Sequence, residues 1–248
     1  MSSQIDEKAL FSLINHCDTS VFFSKEWLEV LSNDNFEIIG IKNLNDELIG
    51  AFYLQKYKRK KIFTQISPPP LCPYNWLVLN CDSETNFNKV TFYKKVFKEV
   101  VSYLESIKCD IYKINFPIFY NDLSAFVKSG FETQLKFTYI IDLELSEDEI
   151  LKNMSSERRR NINKGLKSDL KVETNGNKQH LMDLVYKTIE RENLDLDKTF
   201  VKKVIFDFAK ETNAFFQVAY LEGKPCAATF FVYDQNRSYY LLGGYDST

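Results

Sequence analysis

The sequence has 248 residues, of which 44% are hydrophobic and 27% are charged, and it contains only 8 glycines and 6 prolines. This composition is typical of a globular protein and excludes a disordered or fibrous chain. The formal net charge of −2 provides no overall positive field that would draw the protein to nucleic acid or to an anionic membrane, so any basic site must be local.

The N-terminal residues, the apolar runs and the cysteines indicate the expected cellular location. The chain begins with the polar, acidic stretch MSSQIDEKAL, which lacks the basic and apolar regions of a secretory signal, and its apolar runs are too short for a transmembrane segment. Five cysteines without a CxxC pair, and only two histidines (His16 and His180), give no zinc-binding spacing. We therefore expect a cytoplasmic protein with reduced cysteines and no metal.

Residues 1–145 are predicted to form one mixed unit. Its first helix lies within 20–33, with Ser24 as the candidate N-cap. β-Branched and aromatic runs separated by polar turns then predict a three-stranded antiparallel meander, which a long helix, a strand, a short helix and a last strand follow. The predicted ranges after the first helix are, in chain order, 36–41, 48–55, 62–67, 86–107, 109–116, 119–129 and 137–145.

Two connections in this unit carry side chains that could serve a site. Residues 56–61, KYKRKK, are predicted to form a basic turn that contains Lys58. Residues 67–76, SPPPLCPYNW, cannot continue a strand ladder, because their four prolines lack backbone donors. This stiff loop offers Tyr74 and Trp76 as one wall of a cleft, and the alternative is that both simply pack the loop.

Residues 146–248 are predicted to form a second unit of similar organisation. A helix over 146–166 begins with a capping box, because Ser146 is followed three residues later by Glu149. A strand, two helices and a second meander follow. Their predicted ranges are, in chain order, 170–174, 177–193, 197–211, 214–221, 226–234 and 238–244.

The two meanders have the positions expected of an internal repeat. An offset of 177 residues places Gly50 on Ala227 and Ala51 on Ala228, and it also aligns the turns, although few residues are identical. The pattern predicts a duplicated unit. The second copy then lacks the elements that complete the first, so we expect either a truncated second unit or one that is genuinely short.

The junction between the units carries a family resemblance. It reads FTYIIDLELSEDEILKNMSSERRRNINKGLKSDLKVET and resembles the FemAB-like branch of the GNAT acyltransferase superfamily, where a strand ending in Asp-Leu precedes a helix with Met…Arg-Arg-Asn-Ile-x-Lys. The matching residues are Met154, Arg159, Arg160, Asn161, Ile162 and Lys164. The resemblance implies a mixed α+β fold of two tandem GNAT-like domains, 1–145 and 146–248, each a mostly antiparallel sheet flanked by helices.

The same resemblance implies transfer of an acyl or aminoacyl group to an amine. The donor would be acyl-CoA or aminoacyl-tRNA, and the acceptor a peptidoglycan or other cell-envelope precursor or a small molecule. One departure concerns the donor. Where GNAT enzymes carry a glycine-rich pyrophosphate loop, this chain has SPPPLCPY, which supplies no comparable row of backbone donors.

The junction helix is predicted to present a basic face. Arg160, Lys164 and Lys167 are spaced i, i+4 and i+7, so they share a face and repel one another. A bound phosphate or carboxylate would relieve this repulsion, because a guanidinium matches either anion in a bidentate geometry. The alternative is a solvated face, partly neutralised by the nearby acids. Those acids are Glu147, Asp148, Glu149 and Glu157.

We therefore predict a substrate-binding set drawn from the junction and from the two connections of the first unit. The set is Arg159, Arg160, Asn161, Lys164, Tyr74 and Lys58. If the two basic clusters lay together they could also hold an RNA backbone, which makes tRNA a possible partner.

Candidates for the chemistry are weaker than those for binding. Tyr239 and Tyr240 alternate across a strand, so one phenol should face a site and the other the core. We take Tyr240 and Asp246 as the catalytic candidates, with Asp142 as a further carboxylate at a predicted strand end. Acyl transfer depends largely on positioning and on a backbone donor, so a missing triad is compatible with it. Two alternatives stay open: a degenerate binding module for a phosphorylated ligand, and a tRNA-binding protein.

Overall fold

The computed structural model describes residues 2–14, 20–31, 36–43, 45–59, 62–74, 77–79, 86–117, 120 and 122–247. The chain divides into two compact units. The first comprises Met1–Thr133, Lys202–Ala209 and Val232–Tyr239, and the second Gln134–Val201, Lys210–Phe231 and Tyr240–Thr248. This division differs from the predicted domains 1–145 and 146–248, because residues 134–145 are counted with the second unit and two later segments with the first.

The first unit combines a six-stranded sheet with helices. Its elements are β1 (Ser2–Gln4), α1 (Glu7–Ile14), a 3-10 turn (Val21–Phe23), α2 (Lys25–Leu31), β2 (Phe36–Lys42), β3 (Leu48–Arg59), β4 (Phe63–Ser67), β5 (Leu77–Leu79), α3 (Asn86–Ser106), β6 (Ile111–Tyr112), α4 (Ser124–Lys128) and a π-helical turn (Val204–Phe208). The strand order is β1-β2-β3-β4-β6, and β5 pairs with β3. The predicted meander is confirmed, because β2, β3 and β4 pair antiparallel in sequence.

Side chains from β3 enter the core on both faces of the first sheet. Phe52 and Leu54 lie in the cluster that α3 and α4 cover, together with Phe97 and Phe126. Tyr53, the alternate residue on the opposite face, contacts Phe23 with 5.1 Å between ring centroids. Burial on both faces explains the nearly continuous apolar run that preceded the basic residues in the sequence.

The basic turn predicted at 56–61 is wrong in its first part. Lys56 to Arg59 belong to β3, where Tyr57 pairs with Gln65 and Lys58 with Thr64. Tyr57 favours the ladder and points to one face, whereas Lys56 and Lys58 both point to the other, so a charged run can extend a strand when one face reaches solvent. Residues 60 and 61 lie outside the described part of the chain.

Two further strand predictions are wrong. The strand predicted over 109–116 is limited to β6, because its partner β4 ends at Ser67 and the prolines that follow offer no donors. The strand predicted over 137–145 is not formed. That segment belongs to no sheet, residues 143–145 form a turn and a bend, and Phe137 and Tyr139 are 95% and 100% exposed.

The second unit consists of two junction helices followed by a helix-covered sheet. Its elements are α5 (Glu147–Asn153), α6 (Ser156–Leu166), β7 (Lys171–Thr174), α7 (Lys178–Arg191), α8 (Lys198–Lys203), β8 (Ala214–Leu221), β9 (Lys224–Tyr233) and β10 (Ser238–Tyr245), of which the ends of α8 and β9 and the start of β10 are counted with the first unit. The strand order is β10-β9-β8-β7. The predicted strands and the two predicted helices after the junction are confirmed.

A single junction helix over 146–166 was predicted, and the structure has two. The capping box is confirmed: the Ser146 hydroxyl accepts from the Glu149 N–H, and the Glu149 carboxylate accepts from the Ser146 N–H. The break occurs at Met154, whose backbone is extended, and Ser155 then caps α6 by accepting from the Arg158 N–H. A second serine cap therefore starts a new helix directly after the extended residue Met154.

The core of the second unit lies between α7 and the sheet. Leu181, Leu184 and Val185 on α7 are buried, as are Phe216 and Val218 on β8. They recur at three and four on the helix and at two on the strand, as an amphipathic helix against a half-covered sheet requires.

The hairpin between β8 and β9 has a two-residue turn with φ of 50° at Glu222 and 77° at Gly223. This is the geometry that antiparallel strands with a right-handed twist prefer.

The described structure is therefore a mixed α+β protein whose sheets are flanked by helices. Duplication stays a prediction, since the first sheet has six strands with a parallel β4–β6 pair and the second has four. None of the helices in the described part of the chain combines the length and the apolar character that crossing a bilayer requires.

Candidate functional site

Three cations of α6 besides Arg159, and the C-cap Lys167, are exposed to solvent without an ion-pair partner among the described residues. Arg158, Arg160, Lys164 and Lys167 are in no ion pair that the described structure contains. No residue of α6 is buried, so the helix contributes no side chain to a core. An exposed helix with unpaired cations on one side is suited to bind an anion that bears several negative charges.

Arg159 has a different environment from its neighbours. Its Nη1 donates to the Lys152 carbonyl at 3.0 Å and to the Met154 carbonyl at 2.6 Å. Both carbonyls lie at the C-terminal end of α5, where backbone acceptors lose their helical partners. Arg159 therefore fastens α6 to α5, and in this arrangement one of its nitrogens is not available to a ligand.

The acids that could have neutralised the basic face are used elsewhere or stay apart from it. The Glu149 carboxylate accepts from the Ser146 N–H and hydroxyl, and these hydrogen bonds hold the pKa of Glu149 below its usual value. No described ion pair joins Glu147, Asp148 or Glu157 to a cation of α6. The charge of α6 is thus left for a ligand or for solvent ions.

Three aromatic rings form a row across β8, β9 and β10. Phe215 and Phe231 are stacked, with 4.8 Å between centroids and an interplanar angle of 7°, and Phe231 contacts Tyr240 at 5.3 Å. Tyr240 is 62% exposed, so the row ends in an accessible phenol. A Cβ at Gly243 would overlap the Tyr240 hydroxyl, so this glycine provides the space in which the phenol lies.

The prediction that Tyr239 and Tyr240 face different surroundings is confirmed. Tyr239 packs on Phe22 with 5.0 Å between centroids, and burial raises its pKa. Tyr240 ends the exposed row instead. The phenol that was taken as the catalytic candidate is therefore the accessible one.

Asp246, the second catalytic candidate, is held at the end of β10. Its Oδ2 lies 2.6 Å from the Lys187 Nζ on α7, and its N–H donates to the Cys226 carbonyl. Next to it, Arg191 stacks over the Tyr245 ring and donates to the Tyr245 carbonyl at 3.0 Å. This ion pair orients the Asp246 carboxylate toward Lys187, which competes with a role as general base.

Sequence reasoning missed one hydrogen-bonded group of titratable side chains. His180 Nδ1 lies 3.0 Å from the Tyr220 hydroxyl, and Tyr220 is also hydrogen-bonded to Glu173. Burial and the Glu173 carboxylate raise the pKa of Tyr220, so the phenol stays protonated. The register of β7 on β8, with Lys171 opposite Tyr220, brings Glu173 near Tyr220, and α7 supplies His180. No local pattern in the sequence signals this group.

The Pro-rich loop of the first unit is packed into its surroundings. The Tyr57 hydroxyl donates to the Pro68 carbonyl, Asn115 donates to the Pro73 carbonyl, and the Trp27 indole N–H contacts the Cys72 sulfur at 3.2 Å. Burial raises the pKa of Cys72 to about 12, so it is a protonated thiol and not a nucleophile. The loop thus holds Tyr74, half-buried, at a fixed point of the first unit.

The predicted site residues therefore fall on separate elements. Arg159, Arg160, Asn161 and Lys164 share α6, and Tyr240 and Asp246 belong to β10 and the residue after its end. Lys58 lies on β3 and Tyr74 in the Pro-rich loop, both in the first unit.

Three further candidates complete the account. Asp142 is not at a strand end, because its segment forms no strand; its Oδ1 accepts from the Glu144 N–H. His16 and Trp76 lie outside the described residues. Within the described residues no group of three or more His, Cys, Asp or Glu is placed to hold a metal ion.

Comparison with known proteins adds little to this geometry. No family model and no curated protein matches the chain. A transcriptional regulator from Bacillus halodurans C-125 is similar at 10% identity with a TM-score of 0.33, over 57% of this chain and 99% of that one. A GNAT family acetyltransferase from Staphylococcus aureus subsp. aureus USA300_TCH1516 is similar at 10% identity with a TM-score of 0.32, over 57% and 98%. TM-scores this low carry no argument about fold or activity.

Proposed function

We propose that the chain is a FemAB-like acyltransferase of the GNAT superfamily, which moves an acyl or aminoacyl group from a phosphate-bearing donor to an amine. The observation that supports this most is the set of exposed, unpaired cations on α6, within the segment that carries the family resemblance. The acceptor is an amine of a small molecule or of a cell-envelope precursor such as a peptidoglycan intermediate. A cytoplasmic location belongs to the same proposal.

Of the two donors, aminoacyl-tRNA is the better supported. The loop that follows β4 contains Pro68, Pro69 and Pro70, which have no N–H to bind a pyrophosphate, and the Pro68 carbonyl is occupied by Tyr57. A helix whose cations face solvent suits an extended polyanion such as an RNA backbone. Acyl-CoA is therefore the second choice.

In this reaction the acceptor nitrogen attacks the carbonyl carbon of the donor, and the bond from that carbon to the ribose oxygen breaks. The amine loses a proton and the leaving oxygen gains one, so no other reactant is needed. Arg160 and Lys164 would hold the donor phosphates, and the exposed phenol of Tyr240 would donate the proton to the leaving oxygen. Most of the acceleration would come from positioning the two substrates.

The test compares two variants of α6 in a donor-binding and transfer assay. Arg160→Ala with Lys164→Ala removes two cations from one face, whereas Arg158→Ala removes one cation of the same helix from another face. We expect the double variant to lose most of its tRNA affinity and to reduce the slope of log K against log salt by about 1–2, since each phosphate contact contributes somewhat less than one. The Arg158 variant should keep both the tRNA affinity and the salt dependence of the unaltered protein.

Arg159 is deliberately left intact in this test, because replacing it would also loosen α6 from α5. Transfer is followed by mass spectrometry of an amine acceptor with a mixed pool of aminoacyl-tRNA or acyl-CoA. Unchanged binding in the double variant would contradict the role of α6. Binding of CoA but not tRNA, with weak salt dependence, would contradict the choice of donor.

A second candidate function is a binding module that has lost turnover. One observation favours it: the carboxylate of Asp246 is taken up by Lys187 and is poorly placed to accept a proton from an amine. This module would bind the same phosphorylated ligand through α6 and never consume it. Ligand binding that depends on Arg160 and Lys164, combined with no product from any donor, would select this function over the enzyme.

A further inference from the structure

Gln55, on β3, differs from the other buried polar residues of the described chain. Three polar residues are buried there: Ser20, Gln55 and Asn213. The Ser20 hydroxyl accepts from the Phe22 N–H, and the Asn213 side-chain oxygen accepts from the Lys210 N–H. Gln55 is only 7% exposed, yet its Oε1 has no hydrogen-bond partner among the described residues.

A buried carboxamide oxygen of this kind is costly for a folded protein. Burial removes the water that would donate to the oxygen, and the free energy lost is returned only when another donor takes its place. Folded proteins therefore give nearly all buried acceptors a partner, and an exception points to a donor that comes from another molecule. The surroundings of Gln55 indicate what kind of donor fits.

Gln55 belongs to a line of β3 side chains that leads from the core to the surface. Tyr53, Gln55 and Tyr57 share one face of the sheet, opposite to the face on which Phe52 lies in the core covered by α3. We call these three side chains the Gln55 face. Tyr53 is fully buried, Gln55 is nearly so and Tyr57 is half-buried, as is Ser67 across the ladder from Gln55. The Gln55 carboxamide thus lies one position inside the side chains that reach solvent.

The Pro-rich loop that follows β4 covers the Gln55 face. The Tyr57 hydroxyl donates to the Pro68 carbonyl at 3.5 Å, and the Cys72 thiol interacts with Tyr53. The loop therefore contacts the residues on both sides of Gln55 along the strand. The Gln55 carboxamide lies between these two contacts, with the sheet on one side and the loop on the other.

The polar groups along this face are mainly acceptors. Burial raises the pKa of Tyr57, so its phenol stays protonated; its one proton is used on Pro68, which leaves only lone pairs for a ligand. The Pro68 carbonyl has a second lone pair, and proline has no N–H to offer. The residues opposite Gln55 in the ladder, Phe36 and Ser67, are uncharged. A molecule that binds here must therefore bring hydrogen-bond donors, and it should be neutral, because no charge beside Gln55 would balance a buried ion.

We propose that the Gln55 face binds the primary amide group of a small neutral molecule beneath the Pro-rich loop, with Gln55 Oε1 as the acceptor of its N–H. A primary amide suits this surface because its one nitrogen carries two N–H donors, and the face offers several acceptor oxygens. The site belongs to the first unit. It is independent of the proposed function, whose residues Arg160, Lys164 and Tyr240 belong to the second unit.

The test titrates the full chain with acetamide and follows the side-chain and backbone amide resonances of β3 and β4 by NMR. N,N-Dimethylacetamide is the matched probe, because it keeps the carbonyl group but has no N–H. Acetate is the second probe and brings acceptors without a donor. We expect acetamide to shift the Gln55 side-chain resonances saturably, and both other probes to bind about tenfold more weakly or less, as the loss of a hydrogen bond predicts. This comparison uses only the unaltered protein, so it does not depend on the folding of a variant.

Two variants then assign the binding to Gln55. Gln55→Met keeps the length of the side chain but removes the acceptor, and it should abolish the response to acetamide. Its urea unfolding midpoint should be unchanged or higher, because the oxygen that is removed has no partner among the described residues. Gln65→Met is the matched control: it changes the same residue type on the same face, opposite Tyr57, and should keep the binding of acetamide.

Three outcomes would overturn the proposal. The first is the lack of a saturable response to acetamide, which would mean that water or the chain itself satisfies the Gln55 oxygen. The second is a response to dimethylacetamide or to acetate as strong as that to acetamide, since neither has an N–H to donate. The third is a Gln55→Met variant that still binds acetamide, or whose unfolding midpoint falls although Gln65→Met keeps that of the unaltered protein.

Discussion

The junction helices and the sheet of the second unit each rely on an arginine that donates to backbone carbonyls. On the sheet side, Arg191 donates to the Tyr245 carbonyl and stacks over the Tyr245 ring. At the junction, Arg159 donates to the carbonyls of Lys152 and Met154. The hydrogen bonds are alike, but α7 has five buried side chains behind Arg191, whereas α5 and α6 bury none.

The sheet of the second unit is therefore held by apolar packing, whereas the junction helices are held by polar contacts alone. Where a core is present, the polar contact fixes a strand end that apolar burial already holds in place. Its loss therefore lowers the free energy of unfolding of the whole unit. Where no core is present, the contact orders only its own helices, which remain able to rearrange around a ligand. The junction is therefore the adaptable part of the second unit and its sheet the rigid part.

The largest expected effect is that of Gly244→Ala. A Cβ at Gly244 would overlap the backbone of Leu184 on α7, which cannot move aside as a side chain could. We expect the free energy of unfolding to fall by about 3 kcal/mol, as in other overpacked cores, measured by urea denaturation. Gly165→Ala on α6 is the matched control: its Cβ meets nothing, so the change should increase helicity without loss of stability. Equal losses in both would contradict the comparison.

The next effect concerns the sheet arginine. Arg191→Ala removes the stacking on Tyr245 and the hydrogen bond to its carbonyl, and we expect a loss of about 1–2 kcal/mol in the free energy of unfolding. Arg191→Lys keeps the charge but not the planar fork and should recover only part of the loss. If alanine and lysine behaved alike and cost nothing, β10 would not depend on this residue.

The junction arginine should have a smaller and more local effect. Arg159→Ala frees two exposed carbonyls that water can satisfy, so the free energy of unfolding should change by less than about 1 kcal/mol. Hydrogen exchange of the amides in α5 and α6 should nevertheless become faster, because the two helices lose their link. If Arg159→Ala lowered the free energy of unfolding as much as Arg191→Ala, the junction helices would have to be packed against a core.

The smallest effect is a pH dependence at the start of α5. The pKa of Glu149 is lowered by the Ser146 hydroxyl and N–H, so the stabilisation of the cap is present above the ordinary value of 4.5 and is lost as the pH falls through the lower folded value. The Ser146 amide resonance should report this loss in an NMR titration. Glu149→Gln, which accepts a hydrogen bond but does not titrate, should abolish the pH dependence; a titrating amide in that variant would exclude Glu149 as its cause.

Local chemistry made several elements predictable. Both meanders were expected from alternation and turns, and an offset of 177 residues places β2, β3 and β4 within three residues of β8, β9 and β10. The N-caps Ser24 and Ser146 were expected from hydrogen-bonding side chains at helix starts, and each accepts as expected. These signals depend on neighbouring residues alone, and therefore survive any tertiary arrangement.

Other features required the chain's long-range contacts. Lys56 and Lys58 extend β3 because β4 lies opposite them, with Lys56 also paired to Glu37 at 2.7 Å. The group of Glu173, His180 and Tyr220 depends on the pairing of β7 with β8. Arg159, Arg160, Asn161 and Lys164 were named from the resemblance, whereas Lys58, Tyr74, Tyr240 and Asp246 were named from their local sequence.

The sequence by itself determined the alternation of helices and strands, the capped start of the first junction helix and the concentration of cations on α6, because each follows from residue type and spacing. Only the tertiary structure decided which cation is used internally, since Arg159 reaches carbonyls that the break at Met154 exposes. It also decided that residues 135–145 pair with none of the described strands, because strand pairing depends on a partner elsewhere in the chain.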